Sequence, residues 1–317
     1  MKKKILVILG GASKERKVSL ESGKACAKAI KTIGYDVKIF DPAKKSLNRI
    51  EKSKVDIIFN ALHGKDGEDG IAQSYFEYLK IPYTHSGVVA SMNAMDKATS
   101  KSIFIRNKIH TPAYFLLQFK NSAIYNLKLL LKKNKLFFPL VVKPTNEGSS
   151  IGVKICKNYK SLVDSINILK KNYKNLIIEQ FIGGQEIQVA VFKNKALGAI
   201  ELKPKRGFYD YKAKYYKSAK TTHIMPANIS KKNYNKVLKI AEKTHKALQC
   251  RGITRSDFKM LNNKFYLLEI NTQPGMTALS LVPEIARYKG ITFNKLVKLM
   301  ILDASLNRWE NFIRLLF

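Results

Sequence analysis

Two short stretches of this chain bring together residue types that handle phosphate and divalent metal. In FPLVVKPTNEGSSIGVKIC, Lys143 ends an apolar, strand-like run, and a loop holding Glu147, Gly148, Ser149 and Ser150 leads into a second strand. Glycine lets a backbone approach phosphate closely, serine hydroxyls and backbone N–H groups donate to its oxygens, and lysine supplies a positive point charge. The stretch matches neither GxxxxGK[ST] nor GxGxxG, so alone it reads either as a phosphate loop or as a polar hairpin turn. In ITRSDFKMLNNKFYLLEINTQPGMT, two apolar strands meet at the turn formers Asn262 and Asn263. Residues two apart on a strand face the same way. Arg255 therefore shares a face with Asp257, and Glu269 with Asn271; pairing of the hairpin brings all four together. Asp257, Glu269 and Asn271 supply three hard oxygen ligands suited to Mg²⁺ held partly through nucleotide phosphates. The bland alternative is a solvated acidic face. Against it, Glu269 lies between the apolar FYLL and NTQPGMT, where a buried carboxylate needs a cation.

The elements that must position these groups follow from periodicity. The first third alternates strand-like runs (KILVIL, DVKIFD, DIIFNAL) with the helical stretch VSLESGKACAKAIKTIG, which ends at a glycine. That pattern predicts an α/β lobe with a parallel sheet. A change of character before DKATSKSIFIRNK puts a boundary close to Asp96. The middle stretch has strands FPLVVKP, IGVKIC and NLIIEQFI around the helix SLVDSINILKK, an α+β lobe. A third lobe opens with EIQVAVFKNKALGAIEL, where Ile187, Val189 and Val191 alternate with polar neighbours as in a half-buried hairpin. The division is 1–95, 96–183 and 184–317. Between Pro204 and Thr222 the chain is rich in Lys and Tyr and weakly periodic, hence either a mobile surface loop or a functional lid. A nucleotide site between the second and third lobes unites the two chemical stretches.

Composition narrows the classes. At 317 residues the chain suits two or three lobes, and 45% apolar residues can fill them. No run approaches the roughly 18 to 20 apolar residues that cross a bilayer. The start MKKKILVILGGA imitates a signal peptide but ends at two glycines before SKERK, and reads as a buried strand. Cys26, Cys156 and Cys250 lack metal or CxxC spacing and read as reduced thiols of a cytoplasmic protein. The net charge of +35, from 58 basic and 23 acidic residues, raises nucleic acid as a partner. The lysines are spread along the whole chain with no nucleic-acid motif, which favours a solvated surface over a binding face.

Over nearly its full length the chain resembles the D-alanine–D-alanine ligases of the ATP-grasp superfamily. The resemblance runs through GGASKERKVSLESG, FNALHGKDGEDG, IPYTHSGVVASMNAMDK, VVKPTNEGSSIGV, FYDYKAKY, RSDF and LLEINTQPGMTALSLVP, in that order. It implies a three-lobed α/β and α+β ATP-grasp architecture with an N-terminal parallel-sheet lobe. It also implies ATP-dependent joining of two D-alanines through an acylphosphate for peptidoglycan, two Mg²⁺ or Mn²⁺ ions, a cytoplasmic homodimer, no nucleic acid and no membrane insertion.

By the same resemblance Lys97 and Lys143 contact phosphates and Lys214 closes over the γ-phosphate. Glu179, Gln180, Phe181 and Ile182 match the adenine hinge, and Glu186 the carboxylate on the ribose. Asp257, Glu269 and Asn271 match the metal ligands already read from strand geometry. Glu15 meets the first D-alanine's ammonium in a hydrogen-bonded trio with Ser149 and Tyr215, and His63 touches the same amino acid. Arg255 and the Gly275 N–H match an oxyanion site. Ser280 matches the serine holding the second carboxylate, with Leu281 lining its pocket; Ser280 also reads as a helix N-cap. Tyr209, Lys214 and Tyr215 ride on the ω-shaped lid. Tyr215 favours a dipeptide over a depsipeptide product. His85, in THSG where the family has TGSG, and Ala278 with Leu279 before Ser280 depart from the pattern near substrate positions, and so bear on substrate preference. The amphipathic tail LNRWENFIRLLF is expected to pack on the core or on a partner subunit.

Overall fold

Strand β1 (Lys4–Ile8), buried at four of its five positions, is the centre of a parallel sheet ordered β2 (Asp36–Phe40), β1, β3 (Ile57–Asn60). Parallel neighbours require a crossover, and α1 (Arg16–Thr32) supplies the first one. Its Cys26 and Ile30 pack with Val7 and Leu9. On the opposite face α2 (Ile71–Tyr78) sets Ala72 and Phe76 against Leu6, Ile8 and Ile58. The computed structural model describes residues 2–119, 126–204, 221–277 and 280–306.

A second, antiparallel sheet has the order β4 (Tyr114–Gln118), β7 (Asn175–Gln180), β5 (Leu140–Pro144), β6 (Lys154–Cys156). Helix α6 (Tyr159–Leu169) begins at a capping box of Asn158 and Ser161 and buries Leu162, Ile166 and Leu169 against that sheet. The shorter α5 (Leu127–Lys133) adds Leu127 and Leu131 to the same core.

The third sheet runs β10 (Thr222–Ile224), β9 (Lys195–Lys203), β8 (Gln185–Phe192), β11 (Ile253–Leu261), β12 (Lys264–Asn271), antiparallel throughout. Ile187, Val189 and Val191 all enter one core with α7 (Lys231–Ala247), as their alternation predicts. That core also takes Ala90 and Ala94 of α3 (Val88–Met95) and Phe104 of α4 (Lys97–Arg106). Helices on both sides of Asp96 thus share the packing of the five-stranded sheet. Its other face meets α8 (Leu281–Tyr288) and α9 (Phe293–Asp303), which join α1 and β1 in a single core.

Two-residue turns with both central φ positive close the hairpins β8–β9 (Lys193, Asn194) and β11–β12 (Asn262, Asn263), the I′ geometry that matches strand twist. In the second hairpin Asp257 pairs with Glu269 and Phe258 with Leu267, so Leu268 is an extra residue on β12. This bulge keeps Phe265, Leu267 and Ile270 in the core while turning both Leu268 and Glu269 to the opposite side. No helix among the described residues is long and apolar enough to cross a membrane. All three cysteines are free and buried.

Two buried histidines make the fold acid-sensitive. Burial pushes His245 down to about 4, where its Nδ1 lies 2.8 Å from Thr254 Oγ1. Burial, then the charges of His63 and Arg251, pushes His85 down to about 3. The unfolded chain binds these protons from about 6.5 downward while the native chain refuses them, so stability must fall as the medium is acidified. Urea unfolding is expected to show a declining midpoint from about pH 6.5 to 4, and His245→Gln is expected to flatten that decline. An unchanged slope in the variant would remove His245 as its source.

Candidate active site

Where the three sheets approach one another lie two adjoining cavities, both open to solvent. Lys97, Glu147 and Glu269 line both and form their common wall. Asp96 caps α4 by accepting from Thr99 N (2.7 Å), which sets Lys97 as its first residue. From there the buried Lys97 ammonium donates to Glu147 O at 2.5 Å and stands 3.6 Å from Glu269 Oε2.

The first cavity collects Glu15, Ser149, Arg255, Gly275, Ser280 and Leu281. Glu15 opens α1 but is buried, at 5% exposure, and accepts from Ser149 Oγ. Its carboxylate is cradled by two glycines: a Cβ at Gly64 or at Gly148 would stand 2.7 Å from Glu15 Oε2. Ser149 and Ser150 both hold positive φ, 49° and 60°, backbone that persists only where its surroundings over-determine it. Beyond Ser149, Lys14 Nζ and Tyr173 Oη each reach Glu147 Oε1 at 2.8 Å, tying this loop to the N-terminal sheet. Ser280 occupies the N-cap position of α8, yet its hydroxyl accepts from Thr277 N (2.9 Å) and caps nothing.

His63 stands behind the cavity wall, its Nε2 3.4 Å from Ser22 Oγ and its Nδ1 3.9 Å from Glu68 Oε2. Glu68, not His63, lines the cavity. His85, expected near substrate, lines neither cavity: a φ of +70° and the close backbone of Gly252 turn its imidazole onto Phe59. Ala278, Leu279, Tyr209, Lys214, Tyr215, the 205–220 stretch and the tail from 307 lie outside the described residues.

The second cavity takes Lys143, Glu179, Gln180, Phe181, Ile182, Glu186 and Asp257. The buried Glu179 carboxylate is gripped from both sides, by Lys143 at 2.6 Å and by the fully buried Lys101 at 2.9 Å. The two lysines hold Glu179 below the usual carboxylate range although burial opposes them. Burial lowers Lys101 to about 8, with Glu179 pulling the other way. Two lysines on one carboxylate leave a local positive charge beside Glu179. The Gln180 amide is spent on Phe137 and Pro139, and its backbone N–H donates to Ala113 O at 2.8 Å. Val141, Ile151, Val153 and Leu268 supply apolar walls. None carried a sequence signal distinct from core packing, and Leu268 reaches the cavity only through the bulge.

Asp257 and Glu269 stand opposite each other in register, and Arg255 opposite Asn271. Arg255 donates Nε to Asp257 Oδ1 (2.7 Å) and Nη2 to Oδ2 (2.9 Å). Asn271 Oδ1 is oriented by Gln273 N at 2.8 Å. The donor set fits a hard divalent cation: two carboxylates and an amide oxygen on one hairpin face. Among the described residues no three His, Cys, Asp or Glu side chains converge as a metal cage, so such an ion would complete its shell with oxygens from elsewhere.

Two antiparallel sheets closing lysines and carboxylates over one cavity, beside another cavity under a parallel α/β lobe, define an ATP-grasp ligase architecture. Family models described as D-ala D-ala ligase C-terminus and N-terminus match residues 105–302 and 40–86. The D-alanine–D-alanine ligase of Pelagibacter ubique is 56% identical over 97% of this chain and all of its own, and that of Zymomonas mobilis 42% over 96% and 94%. Among solved structures, the D-alanine–D-alanine ligase of Bacillus anthracis superposes with a TM-score of 0.85 at 35% identity, covering 98% of this chain and 99% of its own. The same enzyme complexed with ATP gives 0.84 at 32%, with the same coverage. The chain belongs to the D-alanine–D-alanine ligase family.

The glycine cradle is open to test. A methyl at Gly148 displaces the Glu15 carboxylate from Ser149 and leaves the second cavity untouched. Gly148→Ala is expected to raise the KM for amino acid roughly tenfold, about 1.4 kcal/mol, while nucleotide affinity stays within about twofold. An unchanged amino-acid KM would show that the cradle does not position Glu15.

Proposed function

We propose that the chain joins two D-alanine molecules to D-alanyl-D-alanine, converting ATP to ADP and phosphate, for peptidoglycan synthesis. The observation that carries this reading is the common wall of Lys97, Glu147 and Glu269. A nucleotide laid along the second cavity, adenine against the 179–182 segment, brings its γ-phosphate to that wall. An amino acid in the first cavity then has its carboxylate within reach of the transferring group.

In the reaction so assigned, a carboxylate oxygen of the first D-alanine takes the γ-phosphoryl group and ADP departs. The amine of the second D-alanine attacks the activated carbonyl, loses a proton, and phosphate leaves as the peptide bond forms. Lys97 and Lys143 spread positive charge over the phosphates. Glu15, oriented by Ser149, holds the first ammonium, with His63 and Glu68 behind it. Arg255 and the Gly275 N–H face the developing oxyanion, where fixed donors act before charge appears. Ser280 holds the second carboxylate in a pocket bounded by Leu281. Asp257, Glu269 and Asn271 would hold Mg²⁺ or Mn²⁺, two ions on this reading, and the metal supplies charge to the phosphate oxygens. On this reading the enzyme is a cytoplasmic homodimer, in keeping with the family resemblance.

Phosphate release from ATP by the purified chain with Mg²⁺, compared across D-alanine, L-alanine, D-serine, D-lactate plus D-alanine, and no amino acid, tests the assignment. Release is expected with D-alanine, together with the mass of the dipeptide. Release that is equal without amino acid, or that requires L-alanine, would overturn it.

A further inference from the structure

Strand β11 presents Arg255, Asp257 and Lys259 at every second residue, and so on one face. Pairing with β8 sets Lys259 directly opposite Glu186. Both are buried, at 9% and 8% exposure, and the Lys259 ammonium is 2.9 Å from Glu186 Oε2. Both line the second cavity. Among the described residues only four lysines are buried: Lys97, Lys101, Lys143 and Lys259. Three of them line the cavity, and the other, Lys101, grips Glu179 on its wall. In a chain with 58 basic residues, burial is the property that separates a working lysine from a solubilising one.

A purely architectural role accounts poorly for this pair. A buried ion pair seldom out-stabilises apolar side chains of similar volume, and apolar neighbours such as Val141 and Leu268 already line the same cavity. Recognition accounts for it better. A hydroxyl both donates and accepts, whereas a carboxylate only accepts and an ammonium only donates. Side by side, Glu186 and Lys259 offer a sugar hydroxyl an acceptor and a donor at once. Lys259 also cancels the Glu186 charge, which would otherwise repel a triphosphate bound nearby.

We propose that Lys259, paired with the Glu186 that the family resemblance sets on the ribose, donates to the vicinal hydroxyls and makes the cavity select a ribonucleotide over its 2′-deoxy counterpart. The inference rests on the nucleotide reading of this cavity. A 2′-deoxy sugar leaves the buried ammonium short of an acceptor, and a site built for a hydroxyl penalises a ligand lacking it. Lys259 meets no charged partner other than Glu186 among the described residues.

Calorimetric titration of the full chain in Mg²⁺ buffer with ADP and with 2′-deoxy-ADP tests this directly. The unsubstituted chain is expected to bind ADP roughly 10- to 100-fold more tightly than 2′-deoxy-ADP. Lys259→Met, which keeps the aliphatic stem, is expected to weaken ADP roughly tenfold, to leave 2′-deoxy-ADP within about threefold, and so to collapse the ratio. Lys259→Arg, which keeps a charged donor, is expected to retain most of the ratio, and Lys259→Ala to lose it like the Met variant. ADP binding with the same ratio in the Met and Ala variants would overturn the role of Lys259 while leaving the nucleotide site standing. No ADP binding by the unsubstituted chain would overturn the nucleotide reading itself, and this inference with it.

Discussion

A carboxylate leaves water only in company, at a cost of several kcal/mol if it goes alone, and the cavities of this molecule are built around that rule. Glu179, Glu186 and Asp257 are buried within one cavity wall, and each is matched by a cation: Lys143 and Lys101, Lys259, and Arg255. Glu269, at the common wall, has Lys97 at 3.6 Å. The pairs keep the cavity close to neutral and hold its charged groups in fixed positions. Arg255 is the clearest case. Its bidentate grip on Asp257 uses Nε and Nη2, which fixes the guanidinium plane, and Arg255 lines the first cavity together with Gly275.

Positioning to this tolerance comes from strand register. The Asn262–Asn263 turn sets Leu261 opposite Lys264, and the ladder, shifted by one residue at Leu268, runs on to the Arg255–Asn271 pair. The bulge at Leu268 shifts the alternation once, so that one strand serves the core with Leu267 and Ile270 and the site with Leu268 and Glu269. Buried amides then tie the hairpin to the parallel lobe. Gln273 accepts from Asn60 Nδ2 at 2.9 Å, donates to Leu62 O, and orients Asn271 through its backbone N–H. Asn271 and the parallel lobe are thereby joined through one residue.

Much of this was legible in the sequence because it is local. Strand alternation, the glycine-terminated first helix and the Asn-Asn turn follow from periods of 2 and 3.6 and from turn chemistry, whereas an unbroken ladder from that turn would set Asp257 opposite Leu268, so its pairing with Glu269 depends on the bulge. The bulge was not legible, since FYLLEIN alternates acceptably in two registers and only tertiary packing chooses between them. Lys101 and Lys259 looked like any other lysine in a chain of 58 basic residues, because burial is a property of the folded molecule. His85 was misplaced for a related reason: sequence position put it in a substrate motif, whereas its positive φ turns it into the core. Glu68 was passed over because one acidic residue in GKDGEDG carries no periodic mark.

The account stands on phosphoryl transfer between the two cavities across the wall of Lys97, Glu147 and Glu269. The most direct test supplies D-alanine labelled with ¹⁸O in its carboxylate, together with ATP, and weighs the phosphate released. Attack by that carboxylate on the γ-phosphorus, followed by loss of phosphate to the second amine, predicts one ¹⁸O carried into each phosphate, matched one for one with dipeptide. Dipeptide formed alongside unlabelled phosphate would contradict it.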